Sequence, residues 1–149
     1  MQNVIEHLNK ALSVEYSAVI QYCQHSALIQ GQERAVYEAF LDKGSEEART
    51  HAKKVSDWIV SLGGVPTIEA AHIRQATDVE EMLKQDLATE KEALAAYQAA
   101  HAAVDGEHGI KYMLEEQIVL EQEDVWAIEK LLRQHKIQVQ SKSIDLAAS

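Results

Sequence analysis

The stretch Leu8-Asn9-Lys10-Ala11-Leu12-Ser13-Val14-Glu15-Tyr16-Ser17-Ala18-Val19-Ile20-Gln21-Tyr22 decides the fold. Leu8, Leu12, Val19 and Tyr22 recur at the spacing of one helix face, and Ile5 extends the stripe towards the N-terminus. Glu15 falls on that same face, between Leu12 and Val19. A carboxylate in a packed helical core is costly unless something compensates its charge. The predicted helix covers residues 3–30 and ends at Gly31.

The pattern repeats along the chain. A second helix is predicted over 33–62, with Tyr37, Phe40, Val55, Trp58 and Leu62 facing inward and Gly63-Gly64 and Pro66 stopping it. Glu47 and His51 lie one turn apart on that helix, between Phe40 and Val55. Thr77-Asp78-Val79-Glu80 has the form of a capping box opening a third helix over 78–104, marked by Val79, Leu83, Leu87, Leu94 and Tyr97. Glu90 sits on its apolar face. The fourth helix, over 107–134, uses Ile110, Leu114, Ile118, Ile128 and Leu131, with Glu121 and Asp124 between them. Short links make two antiparallel hairpins, and residues 63–77 are long enough to cross from one end to the other. The expected fold is all-α: a four-helix bundle with one long crossover between helices 2 and 3. It occupies about 3–135 of a single domain over 1–149, followed by a short tail over 136–149 in which Ser143-Ile144-Asp145-Leu146 forms a short fifth helix at best.

Composition agrees. The 149 residues are 46% hydrophobic and 26% charged, with one proline and six glycines, so punctuation is scarce and long helices are favoured over many strands. A net charge of −10 argues against nucleic acid as a partner, because phosphate contacts need a cationic face. Cys23 alone forms no disulfide within the chain. The first residues lack the basic and apolar regions of a leader, and no run reaches the ~18 apolar residues of a membrane span. A cytoplasmic protein with no membrane partner is the expectation.

Glu15, Glu47, His51, Glu90, Glu121 and Asp124 all fall at mid-helix, and no lysine or arginine shares their stripes. Such a set calls for a cation, and metal ions shared by carboxylates and an imidazole are the usual solution. The competing reading of any one of them is an acid at an edge that reaches solvent. The two halves also echo one another: Tyr22 follows Glu15 by seven residues, and Tyr97 follows Glu90 by seven. Each hairpin offers one carboxylate from its first helix and two ligand-capable groups from its second. Tyr22 and Tyr97 are expected to pack and hydrogen-bond ligand carboxylates rather than act as redox groups, with Tyr22 a candidate supporting residue for catalysis. His7, His25, His72, His101, His108 and His135 share no face with the site and are assigned to surface or packing; Trp58 and Trp126 are assigned to packing.

At these residues the sequence resembles the bacterioferritins. Leu8-Asn9-Lys10-Ala11-Leu12 with Glu15 and Gln21-Tyr22 resembles the family's first helix, and His51-Ala52 with Leu62-Gly63-Gly64-Val65-Pro66 the end of its second. Glu81-Met82-Leu83, Asp86-Leu87-Ala88 and Glu90 resemble its third. The likeness covers roughly 4–135. It implies a ferritin-like bundle, a homo-oligomer in the form of a 24-subunit cage, a di-iron ferroxidase centre in each subunit and stored iron mineral. Glu15, His51, Glu90 and Glu121 fall on family ligand positions. The family's bridging glutamate is replaced by Ala48, with Glu47 the nearest substitute, and its second histidine by Asp124. The family's haem methionine is replaced by Arg49, so haem is not expected.

The leading expectation is therefore iron binding at two sites per chain, one firm near His51 and one weaker near Asp124, with ferrous iron oxidation and storage; manganese or zinc are alternatives. A second is a degenerate cage subunit with a partial or absent metal site and a structural or storage role. A third is a redox enzyme of the rubrerythrin or manganese-catalase kind, although no CxxC pair for a rubredoxin domain is present. A DNA-coating relative finds no support in a lysine-rich tail.

Overall fold

The computed structural model describes residues 1–133, which form α1 (Gln2–Leu28), α2 (Arg34–Ser61), α3 (Val79–Ala103) and α4 (His108–Leu132). Among the described residues there is no strand. Each helix is roughly 40 Å long at 1.5 Å per residue. Short turns join α1 to α2 and α3 to α4, and the crossover runs over 62–78. The predicted all-α four-helix bundle with one crossover is the observed architecture. Helix α1 packs against both α2 and α3, and α3 against α4. The tail, with the short helix expected at Ser143–Leu146, and His135 lie outside the described residues.

Two helix ends show how the sequence sets the boundaries. At the end of α2, Gly63 adopts φ +83°, and Gly64 N–H bonds to Ile59 O at 2.8 Å while Gly63 N–H bonds to Val60 O at 3.0 Å. This is a Schellman cap, which needs a left-handed residue and so favours glycine. At the start of α3 the cap is one residue later than the capping box at Thr77 predicted. Asp78 is extended, and its Oδ2 accepts from Glu81 N–H at 3.0 Å. A carboxylate is a strong cap, and it places Glu80 and Glu81 in the first turn, where they complement the helix dipole.

The core has two apolar storeys. One gathers Leu8, Ala11 and Leu12 of α1 with Val55, Ile59, Tyr97, Ala100 and Leu114. The other gathers Ala18 and Tyr22 with Leu41, Ala48, Met82, Leu83 and Ile128. Between them lies a polar storey containing Glu15, His51, Glu90 and Glu121, all buried. Tyr22 enters the second storey by lying against the backbone of Gly44, where an added Cβ would come within 2.7 Å of the ring.

Helix α4 departs from the predicted stripe. Its buried residues are Ile110, Leu114, Gln117, Glu121, Val125 and Ile128. Trp126 is 52% exposed and Leu131 42%, so neither packs as predicted. Trp126 follows Val125 and is turned about 100° outward by the helix, and Leu132 takes the partly buried position beyond Ile128. Trp58 is buried, with Lys54 Nζ 5.7 Å from its ring centre.

The crossover is tied down by polar contacts. Asn9 Oδ1 accepts from Thr67 N–H at 2.8 Å, Ser13 O from Ala71 N–H at 2.9 Å, and Gln21 Oε1 from Arg74 N–H at 3.0 Å. The Gln21 amide nitrogen donates to Asp86 Oδ1 and Thr89 Oγ1, each at 2.9 Å, and His25 Nδ1 lies 2.9 Å from Asp86 Oδ1. No described helix is long and apolar enough to cross a membrane.

Candidate metal centre

Helix geometry brings five of the six predicted residues together. Glu15 projects from α1, His51 from α2, Glu90 from α3, and Glu121 and Asp124 from α4. Ligand atoms of Glu15, His51 and Glu121 lie within 4.8 Å of one another, and so do those of Glu90, Glu121 and Asp124. Glu121 belongs to both groups. His51 Nδ1 is 3.0 Å from Glu121 Oε1 and 3.4 Å from Glu15 Oε1.

Both tyrosines support carboxylates. Tyr22 donates to Glu90 Oε1 at 2.6 Å, and Tyr97 donates to Glu15 Oε1 at 2.7 Å. Each phenol thus crosses from one hairpin to the other. Burial raises both hydroxyl pKa values well above the usual 10, with nearby carboxylates adding to the shift, so both remain proton donors.

The charges are poorly balanced. Among the described residues no lysine or arginine pairs with Glu15, Glu90, Glu121 or Asp124, and His51 is the one basic partner. Burial by itself lowers the His51 pKa, but its bonds to Glu121 and Glu15 outweigh that and hold it at about 10. Burial, then the charge of Glu15, lifts Glu121 to about 7; burial, then Glu90, lifts Asp124 to about 8. Burial and the neighbouring Glu121 also hold Glu90 well above the usual range. Crowded carboxylates retain protons until a cation replaces them.

Among the described residues two buried side-chain oxygens have no partner: Glu121 Oε2 and Gln117 Oε1. A buried acceptor left unmatched costs roughly 1–3 kcal/mol, so these atoms fit a cation and the donors that would accompany it. The donor set, carboxylates with one imidazole, suits ferrous and ferric iron, manganese and zinc.

Glu47 stands apart. It is 41% exposed and 3.5 Å from Lys43 Nζ, and it lines a cleft of about 130 Å³ with Tyr22, Phe40, Lys43, Glu90 and Asp124. It lies outside both ligand groups, yet its charge contributes to the raised pKa of Asp124. Ala48, at the position where the resemblance implies a bridging glutamate, is buried in the second apolar storey. Arg49 is on the outer face, in a groove with Tyr16, Val19, Ile20 and Ile68.

Gln117 and Asp86 are among the buried polar residues whose place the sequence reasoning did not assign. Gln117 falls on the stripe between Leu114 and Glu121, and Asp86 on the stripe between Leu83 and Glu90. The same helical spacing that exposed the acidic residues of the centre was available for both. His25, assigned to surface or packing, is fully buried on Asp86.

A four-helix bundle with one crossover, carrying carboxylates and a histidine at mid-height, defines the ferritin-like class of bundles. The ferritin-like domain family matches residues 5–137, and this chain belongs to that family. Its curated relatives include bacterial ferritins and bacterioferritins, so the resemblance in the sequence reflects kinship. A bacterial ferritin from Neisseria meningitidis serogroup B is 37% identical over 91 residues, 61% of this chain and 59% of that relative. The match therefore spans less than two thirds of the relative's length. A ferritin-like, diiron-carboxylate protein from Bacillus anthracis has a structure similar at TM-score 0.84 and 31% identity, covering 89% of this chain and 96% of that one. A dodecameric thioferritin, a bacterioferritin-related protein from Bacteroides fragilis, is similar at TM-score 0.79 and 25% identity, covering 88% and 84%.

Proposed function

We propose that this protein takes up ferrous iron at the carboxylate–histidine centre, oxidises it, and stores the ferric product inside a homo-oligomeric shell. The observation that carries this reading is the convergence of Glu15, His51, Glu90 and Asp124 on Glu121, whose buried Oε2 has no partner among the described residues.

Ferrous iron is the substrate. Its entry displaces protons held by Glu121, Asp124 and His51, whose pKa values of about 7, 8 and 10 make uptake stronger as pH rises. Glu15, His51 and Glu121 form one binding position; Glu90, Glu121 and Asp124 form the second, with oxygen donors only. Each ferrous ion gives up one electron, and dioxygen takes the pair with two protons. Carboxylates suit both oxidation states, because an oxygen donor binds the harder ferric ion more strongly. Tyr97 and Tyr22 hold Glu15 and Glu90 in place, so the oxygens need not reorganise as charge changes.

Two apolar surfaces support assembly. Tyr112, Val119 and Trp126, seven residues apart on α4, are 65%, 55% and 52% exposed. The groove around Tyr16, Val19, Ile20 and Ile68 is the other. Surfaces of this kind are characteristic of contacts between protein molecules. The dodecameric neighbour makes a shell of twelve as natural an expectation as one of twenty-four.

A second reading has its own observation. Ala48 provides no bridging carboxylate and Glu47 is engaged by Lys43, so a subunit holding one ion, or none, would act as a structural or storage component. Anaerobic ferrous titration separates the two readings. Two irons per chain, with a transient absorbance on admitting air, support the oxidase; a single ion without catalysed oxidation supports the second reading. Sedimentation of the same samples gives the oligomer size.

A further inference from the structure

Gln117 belongs to no ligand group, yet it is fully buried one turn before Glu121 on α4. Its Nε2 donates to Glu121 Oε1 at 2.7 Å. The same Glu121 oxygen is 3.0 Å from His51 Nδ1, so two donors converge on Oε1 and none on Oε2. Gln117 Oε1, also buried, has no partner.

This arrangement is wasteful for packing alone. Leucine or methionine fills a similar volume and leaves no orphaned acceptor. A glutamine at this height is useful for what it does to Glu121. Ala48 leaves Glu121 as the one carboxylate common to both ligand groups, so the orientation of its plane sets the relation between the two positions. The Gln117 amide restrains that plane from one side, at Oε1, and leaves Oε2 free.

We propose that Gln117 is a positioning residue for the metal centre, fixing the shared carboxylate of Glu121 through its amide nitrogen and presenting its amide oxygen to a water carried in with the ion. The inference rests on the metal-binding reading above. Its two halves use the two ends of one amide. The donor end works before metal arrives, because Glu121 is an acceptor there. The acceptor end gains a partner only on occupation, because no donor among the described residues reaches it. Supporting residues of this kind typically alter metal affinity by about ten- to a hundredfold.

The test uses cobalt(II) alone as the probe, titrated anaerobically into the full-length protein and into Gln117→Met and Gln117→Glu. Calorimetry gives affinity, and the visible spectrum reports coordination at His51. For Gln117→Met the expected result is about ten- to a hundredfold weaker binding and a changed cobalt spectrum, with a metal-free melting temperature equal to or above that of the parent. Gln117→Glu retains the shape but replaces the amide donor with a carboxylate; it should fold, change the cobalt spectrum, and bind more tightly through its added charge. Unchanged affinity and spectrum in both variants would overturn the proposal. So would a loss of affinity matched by a fall in metal-free melting temperature, which marks a packing role. If Gln117→Met does not fold, Gln117→Glu decides: an unchanged spectrum refutes the assignment. Failure of the parent to bind cobalt would refute the metal reading itself, a distinct outcome.

Discussion

Glu121→Gln should make the metal-free protein more stable at pH 8 and should barely change it at pH 5. Glu121 is fully buried, and its pKa rises from the usual 4.5 to about 7. A raised folded-state pKa means stability that is fully present below 4.5 and lost as pH rises through about 7. At about 1.36 kcal/mol per pH unit, this group alone removes roughly 3 kcal/mol by pH 8. Glutamine has no charge to bury, and Gln117 can turn its free oxygen towards the new amide. For a chain of this size ~3 kcal/mol corresponds to about 6–12 °C in melting temperature. The assay is thermal unfolding in chelator at pH 5 and pH 8. The melting temperature of the variant minus that of the parent should grow by that amount between the two. Added zinc should reverse the order at pH 8, since the variant has lost the carboxylate common to both ligand groups. A difference that does not grow with pH, or a variant less stable than the parent at pH 8 in chelator, would refute the reasoning.

Three further outcomes follow from the site. Ala48→Glu restores a carboxylate beside both ligand groups, and ferrous titration should show tighter binding at the second position, by roughly tenfold, with faster oxidation. Glu47→Ala should weaken the ion near Asp124 several-fold and leave the His51 position unchanged; if affinity and stoichiometry are untouched, Glu47 is simply an exposed acid paired with Lys43. Protein purified from haem-replete cells should show no stoichiometric Soret band, because Arg49 offers no thioether sulfur; such a band would require a different axial ligand.

The four helices were legible because each storey of the core repeats on a helical period, and because breakers are few. Glu15, His51, Glu90 and Glu121 were legible for the same reason: each interrupts an apolar stripe. Helix α4 was harder. Leu131 and Trp126 are apolar and near the inner face, and only the packing of three dimensions shows that Val125 and the partly buried Leu132 join the predicted Ile128 on the inner side instead. The cap of α3 slipped by one residue because Thr77 and Asp78 are both good caps, and local sequence does not rank them. Glu47 illustrates a different limit. Its four-residue step from His51 keeps it on the same side of α2, but Lys43 lies one turn away on the other side and competes for it. Gln117 was not legible as part of the centre because a buried amide, unlike a buried charge, disturbs an apolar stripe little. Asp86 interrupts its stripe as Glu90 does, and only the structure shows His25 compensating it.

The Gln21–Asp86–His25 linkage has a consequence for alignment along the bundle axis. Storeys rich in alanine and leucine are nearly interchangeable, so two such helices can slide past one another by a turn, ~5.4 Å, and still find comparable apolar partners. Hydrogen bonds do not tolerate that sliding. Displacing α3 by one turn separates Gln21 from both Asp86 and Thr89, strands His25, and parts the Arg74 guanidinium of the crossover from Thr89, leaving several polar groups dry and unmatched at once. The linkage behaves as a detent, allowing only one setting of α3 against α1. That setting brings Glu90 level with Tyr22 and Glu15 level with Tyr97. The height at which metal ligands meet is thus held by residues that ligate nothing, about two turns away along α1.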